Sequence, residues 1–143
     1  MKTQSCVVVS KEQIEETLGQ ESLARKRLLE PLKSFAAENK LPLNILEDRE
    51  VSNDAEVHAH EADLWHCLEG EVEFVYGGEM VDPWFGKNPD GSENRDEIKA
   101  KEIKGGDTLI LHPGDWFFIP AGQPHSHSCK GTARLVIIKI PQK

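Results

Sequence analysis

Apolar positions recur along this chain at two different periods, and the change from one to the other falls near residue 40. A short apolar run at Cys6 to Val9 reads as a strand. Ser10 then stands three residues before Gln13, a capping-box arrangement that opens a helix with Ile14 and Leu18 on one face. Leu28, Leu32 and Phe35 follow at helical spacing, predicting a second helical stretch over 21–38, which Pro31 must break or kink. Beyond Leu41 the pattern is that of short strands, at 43–47, 55–60, 63–69, 72–76 and 80–81, with Gly77-Gly78 as a hairpin turn. Residues 83–96 interrupt the series, and Asn88-Pro89-Asp90-Gly91 places proline and glycine where a reverse turn uses them. This segment is expected to be a long loop. Strands resume at 98–103, 108–111, 116–119, 126–129 and 133–140. Short strands divided by turn residues predict an all-β antiparallel sandwich or barrel. The expected organisation is a helical extension over 1–40, packed outside a β-barrel over 41–143, in one structural domain.

Composition narrows what such a barrel does. The 143 residues are enough for one buried core. Charged residues make up 29% and no apolar run approaches the ~18 residues of a membrane span, so no membrane partner is expected. Lys and Arg number 17 against 25 Asp and Glu, a net charge of -8, and this opposes the phosphate neutralisation on which nucleic-acid binding depends. Nucleic acid is not an expected partner. The apolar segment near the N-terminus is too short for a secretory signal. Cys6, Cys67 and Cys129 are too few and too widely spaced for a disulfide framework or zinc knuckle. A cytoplasmic location is expected.

The candidate chemistry lies in the histidines. Val57-His58-Ala59-His60 alternates with period two, so both imidazoles leave one face of a strand if that strand runs through. Asp63 follows; with a turn at Glu61-Ala62 it faces inward with Trp65 and Cys67, whereas a one-residue bulge would put His66 there instead. Further on, Trp116-Phe117-Phe118-Ile119 feeds a Pro120-Ala121-Gly122 turn that presents His125. Neutral imidazoles suit iron, nickel, copper or zinc. His127 lies two residues beyond His125 on the same strand face and is a candidate catalytic residue, with Glu69 and Glu73 as other candidate bases. Cys67 reads as core rather than as a reactive thiol, and Trp65, Trp116, Phe117 and Phe118 read chiefly as packing. Trp84 and Phe85 put apolar surface on a polar loop, where a lid or subunit interface would cover it. Lys139, between Ile138 and Ile140, is either an interior cation for an acidic substrate or an edge lysine that blocks sheet pairing.

Gly114, Pro120, Gly122 and His125 match in full the second motif of the cupin superfamily, G-x5-P-x-G-x2-H, and His58, His60 and Gly70 match parts of the first. Asp63 stands where that motif has a glutamate, one residue closer to His60, and its distance to Gly70 favours it over His66. The sequence thus resembles a single-domain, metal-binding cupin over about residues 41–140. The resemblance implies a double-stranded β-helix, or jelly-roll barrel, holding one divalent transition metal on His58, His60, Asp63 and His125. Iron is the first expectation, with nickel, manganese or zinc as alternatives. It also implies a small-molecule substrate and a homodimer. Two enzyme types follow from it, a non-haem iron dioxygenase, slightly preferred for its apolar cavity, and a metal-dependent sugar or sugar-phosphate isomerase or epimerase. A non-enzymatic barrel that binds a small ligand is the reading from a different class.

Overall fold

The computed structural model describes residues 3–23 and 25–143. Among these, two short helices with a two-residue strand between them precede the remaining antiparallel strands. Helix α1 (Lys11–Leu18) starts at Ser10, whose hydroxyl accepts the Gln13 N–H at 3.1 Å, as the capping pattern predicts. The expected second helix is shorter than its apolar spacing suggests. Strand β1 (Arg27–Leu28) occupies part of that stretch, and α2 (Leu32–Glu38) begins only after Pro31. The β1 backbone pairs with a neighbouring strand instead of with itself, an option that helical periodicity does not register. Cys6 to Val9 forms no strand, and Val8 is exposed.

The remaining strands are β2 (Leu43–Ser52), β3 (Ala55–His58), β4 (Glu61–Glu69), β5 (Val72–Tyr76), β6 (Glu79–Met80), β7 (Trp84–Lys87), β8 (Glu93–Ala100), β9 (Ile103–Lys104), β10 (Asp107–Leu111), β11 (Trp116–Ile119) and β12 (His125–Pro141). Their pairings make two layers hinged on β12. Its C-terminal half lies between β2 and β4 in the order β1-β2-β12-β4-β11. Its N-terminal half lies between β3 and β5 in the order β7-β8-β3-β12-β5-β10. The register of β12 against β2 slips between Cys129 and Thr132, so a strand interrupted in sequence by Lys130-Gly131 continues through a bulge and changes layer. The result is an all-β, antiparallel jelly roll.

Inward residues of both layers form the main core: Leu46, Trp65, Cys67, Val72, Phe74, Leu111, Ile119, Leu135 and Ile137. Gly70 closes the β4–β5 turn at φ +74°, where an added Cβ would sit 2.2 Å from the Thr132 carbonyl. Only glycine lets the turn lie that close to β12. On the outer face of the first layer, Leu29, Leu32 and Ile45 are fully buried beneath Ile14, Leu18 and Phe35, so the helices cap the sheet from outside.

Residues 83–96 do not form the expected long loop. β7 and β8 make a hairpin around a tight turn in which the Asn88 N–H donates to the Ser92 carbonyl at 2.8 Å. The turn chemistry of Asn-Pro-Asp-Gly is as predicted. The first part of β8, residues 93–97, was hidden because its mostly charged and largely exposed residues show no apolar alternation. Trp84 and Phe85 stay partly exposed, with the Lys101 ammonium 5.9 Å above one ring and the Arg95 guanidinium 5.3 Å above the other.

Candidate metal centre

The site is assembled where β3 ends. Alternation along β3 places Glu56 and His58 on one face, and the cross-strand pairing of His125 with Glu56 brings the start of β12 against them. The Pro120-Ala121-Gly122 turn is fixed to β3 by the Gly122 N–H, which donates to the His58 carbonyl at 2.8 Å. Gly122 takes φ +86°, the left-handed conformation that lets the chain double back there. Ligand atoms of Glu56, His58 and His125 all lie within 4.8 Å of one another, and the His58 and His125 rings are 5.2 Å apart.

His60 does not join them. The strand stops at His58, and a bend carries His60 outward, where its side chain is 65% exposed and its Nε2 lies 3.6 Å from Asp96. The backbone explains the departure: the Ala59 N–H still bonds the Asp96 carbonyl in the β3–β8 register, but the His60 carbonyl accepts from Gln142 in the register of β4 against β12, so the chain changes partner strand between the two residues. The period-two argument therefore holds one step earlier in sequence, for Glu56 and His58. Glu56 is the residue that sequence reasoning missed, although the same alternation, counted backward from His58, points to it.

Asp63 faces inward and is 1% exposed, with Trp65 and Cys67 behind it. His66 faces outward and stacks on Trp116 across the β4–β11 pair at 3.9 Å. Asp63 Oδ2 lies 3.3 Å from His125 Nε2 and 3.5 Å from His58 Nε2, while Oδ1 accepts from Lys139 Nζ at 2.6 Å. Lys139 sits on β12 between β2 and β4, so it does not protect a sheet edge.

The electrostatics follow from this crowding. Burial opposes ionisation of Asp63, yet hydrogen bonds from His125 and His58, together with the Lys139 ammonium, hold its carboxyl far below the usual carboxylate range. The weak bond to Asp63 raises the His58 pKa, against the opposing effect of burial. Glu56 loses hydration too, but Lys26, His58, Lys99 and His125 keep its carboxyl below its ordinary value. The Cys67 thiol is pushed up to about 11, first by burial and then by Asp115, which marks it as unreactive core.

Two details of the donor set fit a metal. His125 Nδ1–H donates to the Gln123 carbonyl at 3.0 Å, so its Nε2 is the atom turned toward the cluster, an arrangement typical of metal-binding histidines. His58 Nε2 is buried without a well-aligned hydrogen-bond partner, a costly state for a polar atom unless something binds there.

A cavity of about 130 Å³ opens beside these residues, lined by polar Lys26, Glu56, Asp63, His125, His127 and Lys139 and by apolar Leu28, Leu46, Trp65 and Ile137. Of the aromatic residues read from the sequence, Trp65 alone lines it; Trp116 and Phe118 are exposed and Phe117 packs on the core. His127 is buried between Trp65 and Phe74, and its Nδ1–H donates to Asp48 Oδ2 at 2.6 Å. Asn53 donates to the His127 carbonyl at 3.2 Å and completes this clamp. Asp48 and Asn53 carry no sequence signal of their own, because their role exists only where β2 and β12 meet.

No protein-family model matches the sequence, and no curated protein matches it. Solved structures similar to this chain include the cupin domain of CENP-C from Drosophila melanogaster, with a TM-score of 0.46, 14% identity, and coverage of 71% of this chain and 62% of that one. Hydroquinone 1,2-dioxygenase from a Sphingomonas species has a TM-score of 0.46 and 17% identity over 71% of this chain and 61% of its own. Hydroxypropylphosphonic acid epoxidase from S. wedmorenis has a TM-score of 0.43 and 16% identity over 68% of this chain. This chain spans 42% of the epoxidase's length. Cupin domains are thus among the solved structures that this chain resembles.

Proposed function

We propose that this chain is a metal-dependent enzyme acting on a small molecule, with a divalent transition metal held by Glu56, His58 and His125. The observation that carries the reading is the convergence of those three donors around a buried imidazole nitrogen that lacks a well-aligned partner. Two imidazoles and one carboxylate on one side of a metal, with other positions open, form the donor set of non-haem ferrous oxygenases, and this favours oxygenase chemistry over isomerisation. Bound iron would supply a Lewis acid and a one-electron couple at the cavity wall.

The chain's own residues would do the rest. Glu56 offsets the metal's charge, and the Gln123 carbonyl keeps the His125 ring oriented. Asp63 keeps Lys139 in place through Oδ1, and its Oδ2, beside both Nε2 atoms, would be a further donor. His127, whose Nδ1–H is committed to Asp48, has Nε2 left to accept or return a substrate proton. Leu28, Leu46, Trp65 and Ile137 give the rest of the lining an apolar surface. The cavity holds about four waters at ~30 Å³ each, well below the ~300 Å³ at which drug-sized pockets begin, so the substrate is a small one. The experiment is anaerobic titration of metal-free protein with ferrous iron, followed by oxygen uptake with small thiols, diketones and carboxylates. Stoichiometric iron binding and uptake that both disappear in Glu56→Ala are expected. Full iron occupancy in that variant would defeat the proposed donor set.

A further inference from the structure

The cavity carries a second set of charges that the donor set does not use. Lys139 Nζ spends one of its three N–H donors on Asp63, and its 3.8 Å separation from Glu61 is too long for a hydrogen bond. Its side chain is 40% exposed, and Lys26 lines the same cavity from β1's end of the first layer. The rest of the lining is apolar, from Leu28, Leu46, Trp65 and Ile137. This small space thus offers charge to an anion and apolar surface to a short carbon chain.

We infer that the cavity receives a small monocarboxylate, its carboxylate on Lys139 and Lys26 and its alkyl end against Trp65 and Ile137; this rests on the metal reading above. The charges explain the dependence. Among the groups lining the cavity, the carboxylates of Glu56 and Asp63 balance the ammoniums of Lys26 and Lys139, so the metal-free cavity gives an anion no net attraction. A divalent cation on Glu56, His58 and His125 tips that balance to positive, and the anion then binds next to it. The Lys139–Asp63 contact positions the ammonium without consuming it, which separates this lysine from one buried for structure alone.

Calorimetry with zinc as a redox-inert stand-in tests this. Zinc-loaded protein should bind propionate at least about fivefold more tightly than neutral propionamide, the scale of one partly exposed ion pair, and metal-free protein should show no such preference. Lys139→Met should remove the preference while leaving zinc affinity unchanged or tighter, since a cation beside the site is lost. Lys139→Arg, which keeps the charge, should retain it. If zinc binds but propionate and propionamide bind alike, or Lys139→Met keeps the preference, the carboxylate site is wrong and the metal site stands. If zinc does not bind stoichiometrically, both fall.

Discussion

Two buried clusters of charge flank β12, and they are finished differently. Around its C-terminal half, Glu47 receives Arg134 Nε at 3.0 Å, Arg27 Nε at 2.8 Å and the Leu23 N–H at 3.2 Å. Arg134 spends its remaining donors on the Leu18 and Gln20 carbonyls, which ties the end of α1 to the sheet. Every charge there has a partner at bonding distance. Around the N-terminal half, Glu56, His58 and His125 approach one another at distances too long to satisfy them, and His58 Nε2 has no aligned partner. A closed network serves the fold, whereas an open one of comparable burial is a place for something else to bind.

The sharpest way to break the comparison is to open the closed cluster. Arg134→Ala leaves Glu47 buried with one partner lost, and a cost of about 3–5 kcal/mol is expected in urea denaturation. The double replacement Glu47→Leu with Arg134→Leu should recover much of that. In the open cluster the same kind of deletion should act on binding instead of folding. His58→Ala is expected to lower zinc affinity by more than ~100-fold, beyond the effect of groups behind a ligand, while changing metal-free stability by under ~1 kcal/mol. His60→Ala, at the exposed rim, should leave zinc affinity within about threefold on the same scale. A large loss at His60 would restore the histidine pair expected from the sequence.

Acid sharpens the contrast further. The Asp63 pKa is depressed in the folded state, so its contribution is complete above the unfolded value of about 4 and is lost as pH falls below it. Metal-free protein should therefore lose stability from about pH 4 downward, and Asp63→Asn should flatten that slope; identical slopes would mean the carboxylate is not held as its contacts imply. The smallest effect is expected at Trp84, half-covered on β7. If this strand belongs to the expected homodimer, Trp84→Ala shifts sedimentation at micromolar concentration toward monomer. If it covers the cavity instead, ligand affinity falls and the oligomeric state stays.

Much of the architecture was legible from local pattern alone. Ser10 and Gln13 set the start of α1, and β5 and β11 fall where apolar runs between turn residues put them. Asp63 inward and His66 outward followed from the distance of Asp63 to Gly70, since alternation alone leaves both directions open; the turn expected at Glu61-Ala62 is instead a bend at residues 59–60, and β4 already runs through Glu61 and Ala62. What tertiary structure decided was where those runs stop and which ones meet. His60 leaves the site because the backbone passes there from the β3–β8 pairing, which ends at Asp96, to the β4–β12 pairing at Gln142, both distant in sequence. Glu56 enters it because β12 docks against β3 with His125 opposite. Lys139, ambiguous on its own strand, became a cavity residue once β12 was flanked on both sides. Periodicity reports the direction of a side chain within one strand; the neighbours that satisfy it, or leave it unsatisfied, come from segments tens of residues away and exist only in the folded chain.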